Sequence, residues 1–242
     1  CLFATLWAVV NLPKLPPQGE RRGTRGVRSV LDGLRYLLGH PILLTSFLVD
    51  GIAMIFGMPR ALFPQIAHES FGGPVEGGLA FALLFAAMPA GAVLGGVLSG
   101  WVARVDRQGL AVVWSVIAWG AAITLTGLAV WFAPSAPMAM LAVAVAALAF
   151  GGAADMASAA FRQSMLLAAA DDNVRGRLQG VFIVVVAGGP RIADVLHGWA
   201  AEGIGTAATT AGGGLLVIVG VVVAAIVLPA FVRYRISEQM LR

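Results

Sequence analysis

Length, composition and charge exclude an ordinary soluble domain. The chain has 242 residues, of which 59% are hydrophobic and only 12% are charged, whereas soluble domains hold about 45–50% and about 25%. A mean hydropathy of +0.89 predicts a membrane protein, in which basic residues flank apolar segments, so the net charge of +4 does not indicate a nucleic-acid partner.

The first forty residues divide into two segments. Residues 1–12, CLFATLWAVVNL, would span about 18 Å as a helix, less than the roughly 30 Å of a bilayer core, and they lack the features of a signal peptide. We interpret them as the end of a transmembrane helix that begins upstream. Residues 13–40 join a linker rich in Pro, Gly and Arg to residues 27–38, whose apolar spacing predicts an amphipathic helix on the membrane surface.

Residues 41–232 predict a bundle of six transmembrane helices. Each predicted span has about 20 apolar residues and ends that are rich in charges or turn residues. The spans are 41–63, 79–102, 110–132, 139–160, 178–200 and 211–232, and residues 233–242 form a tail. Prolines inside the spans predict kinks at Pro59, Pro89 and Pro190.

The basic residues predict the orientation. All but two of the 16 Lys and Arg residues lie on alternate sides of the predicted spans, and by the positive-inside rule these loops and the tail are cytoplasmic. They are Lys14, Arg21, Arg22, Arg25, Arg28 and Arg35 before the first span, Arg104 and Arg107 after the second, Arg162, Arg175 and Arg177 after the fourth, and Arg233, Arg235 and Arg242 in the tail.

Ionisable residues occur inside three of the six predicted spans. A charged side chain at a helix centre costs about 2.5–3.5 kcal/mol, so each of these residues needs a partner or water. We expect these three spans to face an interior or a cavity, and the charge-free third and sixth spans to face lipid. The ionisable residues are Asp50, Arg60, Asp155, Arg191, Asp194 and His197.

Helical rise places Asp50 nearest the middle of the membrane. It is either a proton carrier, since access to a buried carboxylate can alternate, or one half of a structural ion pair. Depth also allows Arg60 to pair with Asp194 as a structural lock or a gate. Asp155, near the cytoplasmic end of its span, either borders a cavity or contacts cytoplasmic water.

Arg191, Asp194 and His197 recur every three residues, so one helix face can hold all three. Arg191 can pair with Asp194 within the helix, or both can reach other spans. The preceding residues 188–190, Gly-Gly-Pro, can loosen the helix. His197 is either an interfacial residue or a proton relay.

The second and fifth spans share a short pattern. PAGAVLGGVLSGWVAR and PRIADVLHGWAAE each have a proline, then small residues and Gly-Trp-x-Ala. Because the two spans cross in opposite directions, the pattern indicates an inverted repeat of two three-helix units. Chance similarity is the alternative, since the spacings differ.

No catalytic or cofactor motif is present in the sequence. There is no H-E-x-x-H, no G-x-S-x-G and no G-x-x-x-x-G-K pattern. The single cysteine, Cys1, excludes an internal disulfide and a multi-cysteine metal site. We therefore expect no enzyme activity, no cofactor and no metal.

Four segments resemble the major facilitator superfamily. ARVDRQG after the second span is similar to the cytoplasmic loop motif of that family through Asp106, Arg107 and Gly109, although Val102 replaces its leading glycine and residues 110 and 111 are not basic. The other three segments resemble its enterobactin-exporter-like, proton-driven efflux branch: FLVDGIAMIFGMPRALFPQIA, DDNVRGRLQGVF and GGPRIADVLHG.

The resemblance implies an all-α integral membrane fold, the six-helix C-terminal half of such a transporter, built from two inverted three-helix repeats. The six spans would be helices seven to twelve. Helices seven and ten would line the cavity, eight and eleven would meet the other half, and nine and twelve would face lipid.

By position, the resemblance implies that Asp50, Arg60 and Asp155 face or border the cavity and that Arg191 and Asp194 belong to helix eleven. The cytoplasmic start of helix eleven would be formed by Arg175, Gly176 and Arg177. These two arginines alternatively reach anionic lipid beside a helix cap.

The implied function is secondary transport across a bacterial inner membrane, with the C-terminus in the cytoplasm. The protein would export a siderophore or an amphipathic drug-like molecule against proton entry. Its partners would be the small-molecule substrate, protons, the lipid bilayer and an N-terminal six-helix half. The alternatives are another solute or import, and a six-helix membrane scaffold or sensor subunit.

Overall fold

The computed structural model describes the chain over residues 27–75, 77–169 and 172–237. Side chains are described throughout these ranges except at residues 27–30, 103, 169, 172–177 and 179. The described residues contain helices and connecting turns but no strand.

Nine α-helices occur in the described part of the chain. They are α1 (Val27–Leu38), α2 (Pro41–Phe56), α3 (Phe63–Glu69), α4 (Leu79–Val97), α5 (Gln108–Trp131), α6 (Pro137–Ala169), α7 (Asp172–Ile204), α8 (Thr206–Val227) and α9 (Pro229–Val232). Short 3₁₀ helices occupy Pro59–Leu62, Ser99–Arg104 and Ala133–Ser135.

Six helical segments within the described residues are long and apolar enough to cross a membrane, which confirms the predicted all-helical class. The first runs through α2, a 3₁₀ turn and α3, and the others correspond to α4, α5, α6, α7 and α8. The fourth span is longer than the sequence indicated, because it extends over Pro137–Ala168. Arg162, which we expected in a cytoplasmic connection, therefore lies inside this span.

The first three spans and the last three spans form two triplets, and each triplet packs its middle helix against the other triplet. The second span, α4, packs along α6, and the fifth span, α7, packs along α2. Gly91 in α4 makes the first contact possible, because a Cβ at this position would collide with the backbone carbonyl of Ala149. This reciprocal packing is the arrangement that an inverted repeat of three-helix units predicts.

The third span, which we expected to face lipid, packs against two other spans on one side and exposes large apolar residues such as Trp114 and Leu125 on the other. Although α5 carries no charge, it lies between α6 and α8 and is the most buried of the six spans within the described residues. Trp119 on α5 is only 1% exposed. The lack of charge does not distinguish a lipid-facing helix from one that packs in an apolar interior, because lipid tails and leucine side chains are similarly apolar.

The first span is broken near its centre. Helix α2 ends at Phe56, Gly57 follows, and the chain resumes as the 3₁₀ turn Pro59–Leu62. Proline has no N–H to continue the helical hydrogen bonds, and a Cβ on Gly57 would collide with the Trp119 side chain. By contrast, α4 and α7 continue as helices through Pro89 and Pro190.

Helix α1 covers the range that its apolar spacing predicts. Leu37 is buried in a small cluster with residues of α2, α6 and α7, among them Leu43 and Leu178. Leu31 and Leu38 remain exposed. The helix is therefore attached to the bundle by one edge, while its other apolar residues face outward.

Candidate functional site

A cavity of about 470 Å³ lies between the first, fourth and fifth spans. Its size is within the roughly 300–1,000 Å³ that is usual for small-molecule sites. The lining combines charged and apolar side chains: Asp50, Met54, Met58, Arg60, Asp155, Ala159, Arg162, Phe182, Val186, Ala187, Pro190 and Arg191. Five of the ionisable residues inside the bundle therefore share one cavity.

Asp50 on α2 forms an ion pair with Arg162 on α6. Both residues are buried, with exposed fractions of 2% and 7%. Taking two charges out of water costs several kcal/mol for each ion, and only a close partner offsets that cost. The pair therefore joins the first helix of one triplet to the first helix of the other.

A small pocket adjoins this ion pair. It has a volume of about 20 Å³, which is enough for a single water, and Asp50, Arg162, Ser46 and Gln163 contribute its polar lining. The small pocket and the main cavity share Asp50, Arg162 and Phe182 as lining residues, so the ion pair borders both.

Asp155 is the second carboxylate near Arg162. It precedes Arg162 by two helical turns on α6, and the charges of both Arg162 and Asp50 act on it. Asp155 has no ion pair within 4.0 Å among the described residues. Arg162 thus interacts electrostatically with both carboxylates but forms an ion pair only with Asp50.

Arg60 and Arg191 line the cavity from two different spans. Arg60 lies on the 3₁₀ turn after the break in the first span, and Arg191 follows Pro190 in α7. Within the part of the chain that the structure describes, neither arginine forms an ion pair.

The ion pair that we expected between Arg60 and Asp194 is not present among the described residues, nor is a pair between Arg191 and Asp194. Asp194 does not line the cavity, and its Oδ1 atom is buried without a hydrogen-bond partner. Helical depth alone could not predict these partners, because it fixes height in the membrane but not the direction of a side chain around the helix axis.

His197 lies on another side of α7 and is 5% exposed. Its imidazole is beside the backbone carbonyls of Phe56 and Met58, at the break in the first span. The structure therefore buries the His197 side chain inside the bundle, against the point where the helical hydrogen bonds of the first span are interrupted. Its expected place near the membrane interface stays a prediction.

The loop motif after the second span contacts the segment after the sixth. The Ser237 N–H donates to Asp106 Oδ1 over 3.1 Å, and the Ile236 N–H donates to the Asp106 carbonyl, also over 3.1 Å. Hydrogen bonds from Ser237, together with the charges of Arg235 and Arg107, hold the pKa of the Asp106 carboxyl below its usual value.

Gly109 adds a second contact between these two segments. It is buried, and a Cβ at this position would collide with the Phe231 carbonyl of α9. Asp106 and Gly109 therefore both contact the chain that follows the sixth span, and Arg107 acts on the Asp106 charge.

Arg175, Gly176 and Arg177 lie in the helical backbone of α7. Their side chains are outside the described residues, so their expected role at the start of helix eleven stays a prediction.

Arg162 is the site residue that sequence reasoning missed. It follows the predicted end of the fourth span at residue 160, so the sequence predicts a place in the cytoplasmic connection. The available signal was its spacing of seven residues from Asp155, which puts both side chains on one face of a continuous helix. In the described part of the chain, no group of His, Cys, Asp and Glu residues could hold a metal ion.

The six apolar helices and the charged cavity between them define the class: a multi-pass helical membrane protein. Comparison with known proteins agrees. The chain is 33% identical over 123 residues to the enterobactin exporter EntS of two Shigella boydii strains, of serotypes 18 and 4. It is 32% identical over the same length to EntS of Escherichia coli O1:K1.

Each match covers 51% of this chain and 28% of the relative. The similarity confirms the predicted resemblance to the enterobactin-exporter-like branch. No family model matches the chain, and no solved structure matches it.

Proposed function

We propose that the chain forms the C-terminal half of a proton-coupled secondary exporter that moves a siderophore or an amphipathic drug-like molecule out of the cell. The observation that carries this proposal is the buried Asp50–Arg162 ion pair at the wall of a cavity large enough for such a molecule. The relatives reported above are enterobactin exporters, which supports export as the direction.

The cavity requires a second wall. The second and fifth spans, α4 and α7, bury little of their surface within the chain, and α4 exposes large apolar residues such as Val93, Leu94 and Val97. We propose that an N-terminal six-helix half covers these spans and closes the cavity, while lipid surrounds the remaining surface. The basic loops and the tail then face the cytoplasm.

Asp50 is proposed to carry the proton. When Asp50 is ionised, its attraction to Arg162 holds α2 and α6 together. Protonation of Asp50 removes that attraction and leaves Arg162 to Asp155 and to water, so the contact between the two triplets weakens. Loss of the proton on the other side of the membrane restores the ion pair, which links proton movement to alternating access.

The test is substrate efflux from cells. In Escherichia coli cells that lack EntS, the full-length protein that contains this chain should restore enterobactin in the medium. Asp50→Asn should reduce the initial rate at least tenfold with an unchanged amount of protein in the membrane. Glu202→Gln, which neutralises an exposed carboxylate at the end of α7, is the matched control and should keep the rate. Efflux by Asp50→Asn at the wild-type rate would reject Asp50 as the coupling residue.

A further inference from the structure

The cavity holds more positive than negative charge. Its lining includes three arginines and two aspartates. Arg162 is paired with Asp50 and lies within the electrostatic range of Asp155, so the two carboxylates compensate this arginine. The positive charges of Arg60 and Arg191 remain without an acidic partner among the described residues.

An arginine that lines a cavity without a carboxylate partner is suited to bind an anion. The guanidinium group presents five N–H donors in a plane and forms paired hydrogen bonds with carboxylate, phosphate or sulfonate oxygens. Arg60 and Arg191 approach the cavity from different spans. A ligand that contacts both would therefore link the first span to the fifth.

The rest of the wall is apolar and adaptable. Met54 and Met58 come from the first span, and Phe182 and Val186 come from the fifth. Methionine side chains adjust to ligands of irregular shape, and a phenylalanine ring supplies a flat surface for an aromatic group.

We infer that the cavity binds an amphipathic organic anion, whose acidic group contacts Arg60 and Arg191 and whose apolar body packs against the methionine and phenylalanine wall. This inference rests on the proposed function and specifies its class of substrate. A membrane potential that is negative inside favours the exit of such an anion, by a concentration ratio of about fifty-fold for each charge and each 100 mV.

The test compares two dyes that share a xanthene ring system and differ in charge. Carboxyfluorescein is an anion and rhodamine 123 is a cation. Their binding to the purified full-length protein is measured by fluorescence anisotropy, in detergent and without a proton gradient. We expect the Kd for carboxyfluorescein to be at least tenfold below that for rhodamine 123.

Variants connect this preference to the two arginines. Arg60→Gln and Arg191→Gln should each weaken carboxyfluorescein binding about tenfold, as expected for the loss of one charged hydrogen-bonding group, and the double variant should lose the preference. Arg60→Lys and Arg191→Lys retain the charge and should retain the preference. Arg104→Gln removes an exposed arginine outside the cavity and should bind both dyes as the wild type does.

Equal binding of the two dyes, tighter binding of rhodamine 123, binding of neither dye, or a preference that survives in the double variant would each overturn the inference. A variant that does not fold is identified by loss of a single sharp peak in gel filtration, and the glutamine variant of the other arginine then decides the result. Because binding is measured without a gradient, the outcome is separate from proton coupling. If efflux is coupled through Asp50 but the protein shows no anion preference, the proposed function stands and the ligand class is rejected. If the protein prefers the anion but Asp50 does not couple efflux to protons, the ligand class stands and the coupling is rejected.

Discussion

At the scale of single residues, Asp50 and Arg162 form a buried ion pair in an apolar environment. The two residues differ in what remains when the partner is lost. Arg162 has a second carboxylate, Asp155, nearby, whereas no described cation other than Arg162 is paired with Asp50 or Asp155. Loss of Asp50 leaves Arg162 with Asp155. Loss of Arg162 leaves two carboxylates without their shared cation.

This inequality predicts that Arg162→Gln destabilises the protein more than Asp50→Asn does. Breaking a buried pair by removing one partner costs about 3–5 kcal/mol, and we expect Arg162→Gln to reach that range while Asp50→Asn stays below it. The measurement is the apparent Tm of the purified full-length protein in detergent.

The double variant Asp50→Asn/Arg162→Gln supplies the control for this comparison. It should melt at a higher temperature than Arg162→Gln alone, because one of the two stranded carboxylates has been neutralised. Equal losses in the two single variants, or losses that add in the double variant, would show that the pair is not coupled in this way.

Asp50 was predictable and its partner was not, for a physical reason that applies to the whole site. A carboxylate within an apolar run stands out in the sequence, because placing it in lipid or in an apolar interior carries a desolvation cost. Its partner depends on which helix faces it, and the sequence does not contain that direction. For the same reason, Arg60 and Asp194 matched in depth without forming a pair.

At the scale of helices and loops, close packing depends on glycine where two backbones meet. Gly91 in α4 touches the backbone of Ala149 in α6, whereas a Cβ on Gly198 in α7 would meet no atom within 4 Å. Both glycines lie in helices, so the same substitution has opposite consequences at the two positions.

Gly91→Ala should therefore lower the apparent Tm, and Gly198→Ala should leave it unchanged or raise it. Overpacking costs about 1–3 kcal/mol, whereas alanine gains about 1 kcal/mol over glycine in a helix. Thermal melting of both variants in the same detergent checks the prediction. A loss of stability at Gly198→Ala that equals the loss at Gly91→Ala would contradict the packing of α4 on α6.

The Asp106 loop should hold the segment after α9 at neutral pH. Because the folded-state pKa of Asp106 is lowered from 3.8, its contribution to stability is present above that value and is lost as the pH falls through the lower, folded-state pKa. Asp106→Asn removes the charge at every pH, so the Ser237 amide should exchange faster than in the wild type at pH 7. Hydrogen exchange, expressed as a protection factor, measures this difference.

The Asp106→Asn result has a matched control in Asp155→Asn, which removes a carboxylate that does not contact this segment. That variant should keep the protection of Ser237. Equal protection in the wild type and in Asp106→Asn would show that the carboxylate does not hold the segment.

The number of spans was predictable from the length of the apolar runs. The burial of each span and the residues at which its helix ends were harder to predict. The fourth span continues beyond its predicted end to Ala168. Helical hydrogen bonds do not require apolar side chains, and the charge of Arg162 is compensated by its ion pair with Asp50 inside the bundle. The break of the first span depends on two residues. Pro59 is visible in the sequence, whereas the close approach of Trp119 to Gly57, which leaves no room for a Cβ, is seen only in the packed helices.

At the scale of the whole molecule, the exchange of helices between triplets places the charged helices α2 and α6 together at the cavity. The Asp50–Arg162 pair spans the junction of the two triplets, so a change in its charge acts on the relative position of two three-helix units. This geometry is the reason for assigning proton coupling to Asp50 rather than to Asp194, which lies outside the cavity lining.

The most direct test of this account is the proton flux that accompanies export. The full-length protein is reconstituted in vesicles, enterobactin is supplied on one side, and a pH-sensitive dye reports proton movement in the opposite direction. The account predicts proton counterflow in the wild type and in Glu202→Gln, and its loss in Asp50→Asn. Proton counterflow in Asp50→Asn that equals the wild-type value would contradict it.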